Sequence, residues 1–132
     1  MKKDIPQLKV EDLAIAIVPS LEDASIWDTY IINLKVESIK NVLITSSGYG
    51  ELDGEMRRTA TARYFLERID ALDLHLIEPI QEELFVLTNE YWVSFQYDGQ
   101  MYDRRFMFVP GSLQEINFMR IPFLEREGVM MR

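Results

Sequence analysis

Apolar residues recur at every second position through most of the chain, and that period points to strands. Leu13, Ile15 and Ile17 alternate with Ala14 and Ala16, which predicts a strand with one crowded face and one face that something approaches closely. Pro19 ends it. Over residues 26–37, Tyr30, Ile32, Leu34 and Val36 share one side, and Thr29, Ile31, Asn33 and Lys35 share the other. Residues 38–41 read as a turn. Val42, Ile44 and Ser46 then alternate with Leu43 and Thr45, so the two runs predict a hairpin. Leu72, Leu74 and Leu76 alternate with Asp73 and His75, and Pro79 marks an edge or an end. Residues 84–87 predict a short apolar strand, stopped by Thr88-Asn89. The clearest hairpin has residues 91–97 and 101–109 flanking Asp98-Gly99. A two-residue loop there sets Phe95 opposite Tyr102, Tyr91 opposite Phe106 and Trp92 opposite Arg105. After Ser112 no clean period remains, which leaves room for one more edge strand and then irregular chain.

The period changes once. Gly48-Tyr49-Gly50 and Asp53-Gly54 come first, the latter predicting a tight turn and the former a bulge and bend beside an amphipathic tyrosine. Ala62, Phe65, Leu66 and Ile69 then fall at i, i+3, i+4 and i+7, one stripe of a short helix that Thr59 or Thr61 would cap. A strand through Thr59, Thr61 and Arg63 competes with it. Together these elements predict a mainly β fold, an antiparallel β-sandwich with tight hairpins and one short helix. The alternative is an α+β fold, a single twisted antiparallel sheet packed on the helix. No repeat or linker divides residues 1–132, so one domain is expected, with residues 1–12 loosely held.

Composition narrows the chemistry. No cysteine is present, so disulfides, a thiol nucleophile and Cys-based metal sites are excluded. The 132 residues are enough for a core without such staples. Neither a signal-type apolar run near the start nor a membrane-spanning stretch is seen, and a cytoplasmic protein without a membrane partner is expected. With 22 acidic against 14 basic residues the net charge is −8, which argues against a polyanionic partner such as nucleic acid.

No residue pattern calls for a metal or cofactor. His75 is the only histidine, and strand alternation puts Glu78, three residues on, on the opposite face. Ser46-Ser47-Gly48 is not a nucleophile elbow, although a triad of Ser47, His75 and some Asp stays as a remote alternative. Gly48-Tyr49-Gly50 is not a phosphate loop, since Gly54 follows at the wrong spacing and no Lys-Ser/Thr pair comes after it. Glu82-Glu83 are strand neighbours and point apart, so they do not act on one bond. Basic residues gather at Arg57, Arg58, Arg63 and Arg68, and again at Arg104-Arg105 between aromatic runs. Arg105 opposite Trp92 predicts a cross-strand cation–π pair. The candidate interaction surface is therefore Tyr49, Arg57, Arg58, Trp92, Tyr102, Arg104 and Arg105.

Several stretches also carry a resemblance: the run from Gly48 to Glu55, Arg63-Tyr64-Phe65, Tyr91-Trp92-Val93-Ser94-Phe95, Tyr102-Asp103-Arg104-Arg105-Phe106 and Phe108-Val109-Pro110-Gly111-Ser112. On these the chain resembles, from about Trp27 to Pro122, a family of small uncharacterised bacterial proteins of similar length. Some of its members carry the label of a phenylalanyl-tRNA synthetase β chain. A true β chain of that enzyme is many times longer, and tRNA favours a basic surface. The resemblance brings no catalytic residue with it. The expected function is a non-enzymatic binding or protein-interaction module with a protein or small-molecule partner. The alternatives are a small hydrolase using His75 with a serine or carboxylate, and a translation-associated RNA-binding protein. Val129-Met130-Met131 offers a contact for a homo-oligomer.

Overall fold

The computed structural model describes residues 10–132, and among these the period-two pattern is realised as ten strands in two antiparallel sheets. The first sheet holds β1 (Leu13–Pro19), β2 (Ile26–Asn33), β6 (Asp73–Gln81), β9 (Met119–Arg120) and β10 (Glu127–Met131), in the order β6-β2-β1-β10-β9. The second is built on the long β3 (Ile39–Leu52). Along one side of β3 run β5 (Ala62–Ile69) and then β4 (Glu55–Arg58). Along the other run β7 (Thr88–Tyr97) and β8 (Gln100–Phe108). The fold is a β-sandwich.

Alternation decides what each sheet turns inward. Leu13, Ile15, Ile17 and Ile31 from the first sheet pack on Ile44, Val93, Phe95, Phe106 and Phe108 from the second, all at most 1% exposed. Each such side chain contributes roughly 1.5–3 kcal/mol by leaving water. The other face of β1 carries Ala14 and Ala16, and Ile121, Tyr30, Leu74 and Leu124 close over it. The close approach predicted for the alanine face is there. Residues 1–9 lie outside the described residues, so the expected loose start is addressed only at its end. There Val10 packs on the core, and the Asp12 carbonyl accepts the Leu34 amide at 2.8 Å.

Both tight turns are where Asp-Gly puts them. Asp53-Gly54 (φ 53° and 80°) joins β3 to β4, and Asp98-Gly99 (φ 49° and 74°) joins β7 to β8. The second hairpin has the predicted register, Phe95 with Tyr102, Trp92 with Arg105 and Tyr91 with Phe106.

Five expectations are corrected. The helix over residues 62–69 is the strand β5, with Tyr64 and Leu66 packed on the core and Phe65 59% exposed. The edge of β3 offers unpaired backbone groups there, and β5 satisfies them, which outweighs a four-residue stripe. The hairpin expected between residues 26–37 and 42–46 does not form, because β2 and β3 belong to opposite sheets. Asn33 stands at the crossing: its buried side-chain amide donates to the carbonyls of Glu37 (2.9 Å), Asp70 (3.0 Å) and Ile69 (3.3 Å), and so ties the end of β2 to the end of β5. Residues 84–87 belong not to a strand but to a 3₁₀ turn, Glu82–Val86, and its exit, because the chain must step from β6 to β7 in the other sheet. The tail holds two strands where one was expected: β9 is the edge strand, but regular chain continues into β10 between β1 and β9, with Val129 buried and Met130 and Met131 partly buried against the core. Finally, Gly48 and Gly50 make no bulge: β3 runs straight through them, and the close approach is at Gly48, where a β-carbon would stand 3.1 Å from the Thr59 methyl. Among the described residues no helix is long and apolar enough to cross a membrane.

Candidate functional site

The seven residues singled out above do not form one surface. Tyr49, Arg58, Trp92 and Arg105 do share the outer face of the second sheet. The Arg105 guanidinium lies 4.2 Å from the Trp92 ring centre, and that of Arg58 lies 5.4 Å from Tyr49. Tyr49 donates its hydroxyl to Glu90 at 3.0 Å, and the Trp92 indole donates to Asp103 at 3.2 Å. Arg57 alternates away from Arg58 and pairs with Glu55 at 3.2 Å. Tyr102 stacks on core Phe95 at 5.4 Å, and Arg104 turns inward over Phe106 to donate to the Arg132 carbonyl. Adjacent strand residues point to opposite faces, so Arg57-Arg58 and Arg104-Arg105 are split by the same geometry that made them neighbours in sequence.

A different set converges. In β6 the register slips between the positions opposite Thr29 and Tyr30, so His75 lies across from Ile31 and Glu78 across from Thr29. The extra residue puts Glu78 on the same inward face as His75, where simple alternation had set them apart. The Glu78 carboxylate reaches the gap between the sheets and gathers hydroxyls from three other strands. Its Oε1 accepts from Tyr64 at 2.5 Å and from Ser46 at 3.1 Å, and its Oε2 accepts from Tyr91 at 2.9 Å. Since Tyr91 spends its proton on Glu78, Thr29, 3.1 Å from the Tyr91 oxygen, must donate to it. The phenols are held protonated. Burial, then the hydrogen bond to Glu78 and its charge, push Tyr64 up to about 12, and burial first pushes Tyr91 well above its ordinary value.

These groups stand at a cleft of about 290 Å³. Glu78, Tyr91 and Asn89 face it, between Ser46, Gly48 and Ala62 on one side and Ile80 and Leu84 on the other. The opening follows from the chain between β4 and β5. Thr59 bonds Gly48 twice, its amide donating to the Gly48 carbonyl (2.8 Å) and its hydroxyl accepting the Gly48 amide (2.7 Å). Ladder pairing with β3 resumes only at Ala62. Asn89 secures the far wall by donating to the carbonyls of Leu84 (3.0 Å) and Leu87 (3.3 Å). His75 does not line the cleft. Among the described residues no group of three or more His, Asp or Glu is arranged to hold a metal ion.

Sequence reasoning missed Glu78 because the bulge that turns it inward leaves no mark in the alternation. One signal was present. An inward tyrosine such as Tyr91, where phenylalanine would pack equally well, requires a buried hydrogen-bond partner. Compared with known proteins, the chain matches no protein-family model, no curated protein and no solved structure.

Proposed function

We propose that this domain is a non-catalytic binding module whose Glu78 cleft takes a small ligand carrying a protonated amine. The observation that carries this reading is a carboxylate at a cleft wall with hydroxyl donors and no cation. Among the described residues no Lys or Arg forms an ion pair with Glu78. A carboxylate offers about four acceptor positions. Two are taken at Oε1 and one at Oε2, which leaves one on Oε2 for an incoming N–H. An ammonium there makes a charge-assisted bond in a site partly withdrawn from water, about twice as strong as a neutral one. Ile80, Leu84 and Ala62 suit a short alkyl group behind it, and the cleft volume is at the small end for ligand sites. The phenols, held protonated, serve as fixed donors that orient the carboxylate rather than as bases.

The test is a titration of the protein with a series of primary alkylamines and the matching alcohols, read by amide chemical shifts at Ser46, Gly48 and Asn89. Amines are expected to shift these residues saturably and alcohols at least about tenfold more weakly. Glu78→Gln, which preserves shape, is expected to abolish the preference. Equal binding of amine and alcohol, or an unchanged preference in the variant, would overturn the reading.

A further inference from the structure

A second concavity lies across the 3₁₀ turn from the Glu78 cleft, and it is built differently. It is a groove of about 580 Å³ whose lining includes Trp27, Phe85, Phe118, Leu113, Glu82 and Glu115. Two phenyl rings lie nearly perpendicular to the indole of Trp27, Phe85 with ring centres 5.0 Å apart at 85° and Phe118 at 5.6 Å and 75°. The indole N–H donates to the Glu82 carboxylate at 3.3 Å, which fixes that charge beside the aromatic cluster. Glu115 opens the 3₁₀ turn Glu115–Asn117 at the rim, and among the described residues no lysine or arginine lines the groove.

We infer that this groove binds a small quaternary ammonium compound. Aromatic faces are negative and attract a cation, and two carboxylates at the rim add to that field. An anion is repelled, and a neutral apolar guest gains nothing from the carboxylates. A primary ammonium or metal ion is strongly hydrated, and rings return none of the hydrogen bonds it loses. A methylated ammonium has no N–H to satisfy and a large apolar surface, so it loses least and fills the most. The Glu78 cleft has the opposite preference, since its open acceptor rewards an N–H. The two sites thus divide cations by their methylation, and this inference stands whether or not the first cleft binds amines.

The experiment uses the full chain. It holds two tryptophans, so Trp92→Phe on the outer face leaves Trp27 as the sole tryptophan, excited selectively over the six tyrosines at the red edge of the absorption band. Choline is titrated against this protein, with the neutral tert-butyl isostere of choline as the control. A saturable change in Trp27 emission with choline is expected, with the isostere at least about tenfold weaker. Glu82→Gln should weaken choline binding several-fold, and Phe118→Leu, at a half-exposed ring, tests the cluster if the first variant fails to fold. Glu78→Gln should leave choline binding unchanged. No saturable response, equal binding of the isostere, or loss of choline binding in Glu78→Gln would each overturn the inference.

Discussion

Gly99 and Gly128 are required for unrelated reasons, and the difference can be measured. Gly99 has φ +74° in the hairpin turn and no heavy atom within 4 Å of where a β-carbon would stand, so only the backbone resists substitution. Gly99→Val should therefore cost about 1–2 kcal/mol, the strain of a β-branched residue at positive φ. Gly128 has no such φ, but its β-carbon would lie 2.6 Å from the Ile17 carbonyl oxygen and against the Val18 side chain. Gly128 sits in β10, between β1 and β9, so relief means lifting β10 off β1. Gly128→Ala, though it adds a single methyl group, should cost about 2–3 kcal/mol, at the upper end of overpacking. Urea denaturation midpoints of the two variants decide it. Should Gly128→Ala prove no worse than Gly99→Val, the close passage of β10 over β1 would be wrong.

At the scale of elements, the open side of the sandwich between β5 and β6 is tied by the Tyr64–Glu78 bond, and that tie carries a pH signature. The native state holds the Tyr64 proton to about pH 12, against 10.0 for the free phenol. The unfolded chain therefore releases its proton first. The stabilisation is complete below pH 10 and is lost as pH rises toward 12. Tyr97, held by Glu37, shifts the same way and adds to the loss. Tyr64→Phe is expected to be less stable than the parent at pH 8, with the gap narrowing above pH 10 in urea midpoints. A gap that stays constant or widens would show that the phenol is not bonded to a carboxylate. Such ties also mark the limit of what sequence reveals. Asp98-Gly99 fixes its own hairpin and register within a few residues, and that pairing was legible in full. Which sheet β2 and β3 join is set by long-range pairing, β2 with β1 and β6 and β3 with β5 and β7, and the Asn33 bond that ties the crossing spans 37 residues. The candidate site was hidden for the same reason. Tyr64, Tyr91, Ser46 and Glu78 meet only because a bulge in β6 turns one carboxylate over, and no local period encodes that slip.

For the whole molecule, the distribution of charge bears on whether a tRNA can be a partner. A tRNA-binding domain needs a coherent basic surface to release counterions from phosphates. Here the arginines are dispersed and locally committed. Arg58 and Arg105 look outward from the second sheet, Arg57 looks the other way, and Arg104 is turned inward. Arg126 donates to Tyr30, Asp28 and the Pro19 carbonyl, Arg68 pairs with Asp70, and Arg132 pairs with Asp12. Over all of this the net charge is −8, so the long-range field repels a polyanion. At low ionic strength the outward arginines could attract phosphate weakly. At about 0.15 M salt, where charges farther apart than about 8 Å are screened, that attraction should vanish. We therefore expect an electrophoretic mobility shift assay with total tRNA to show no complex at physiological salt, and at most a weak one at low salt. Micromolar binding that survives the higher salt and disappears in Arg58→Glu/Arg105→Glu would reverse the conclusion, since it would place a working phosphate surface on the outer face of the second sheet.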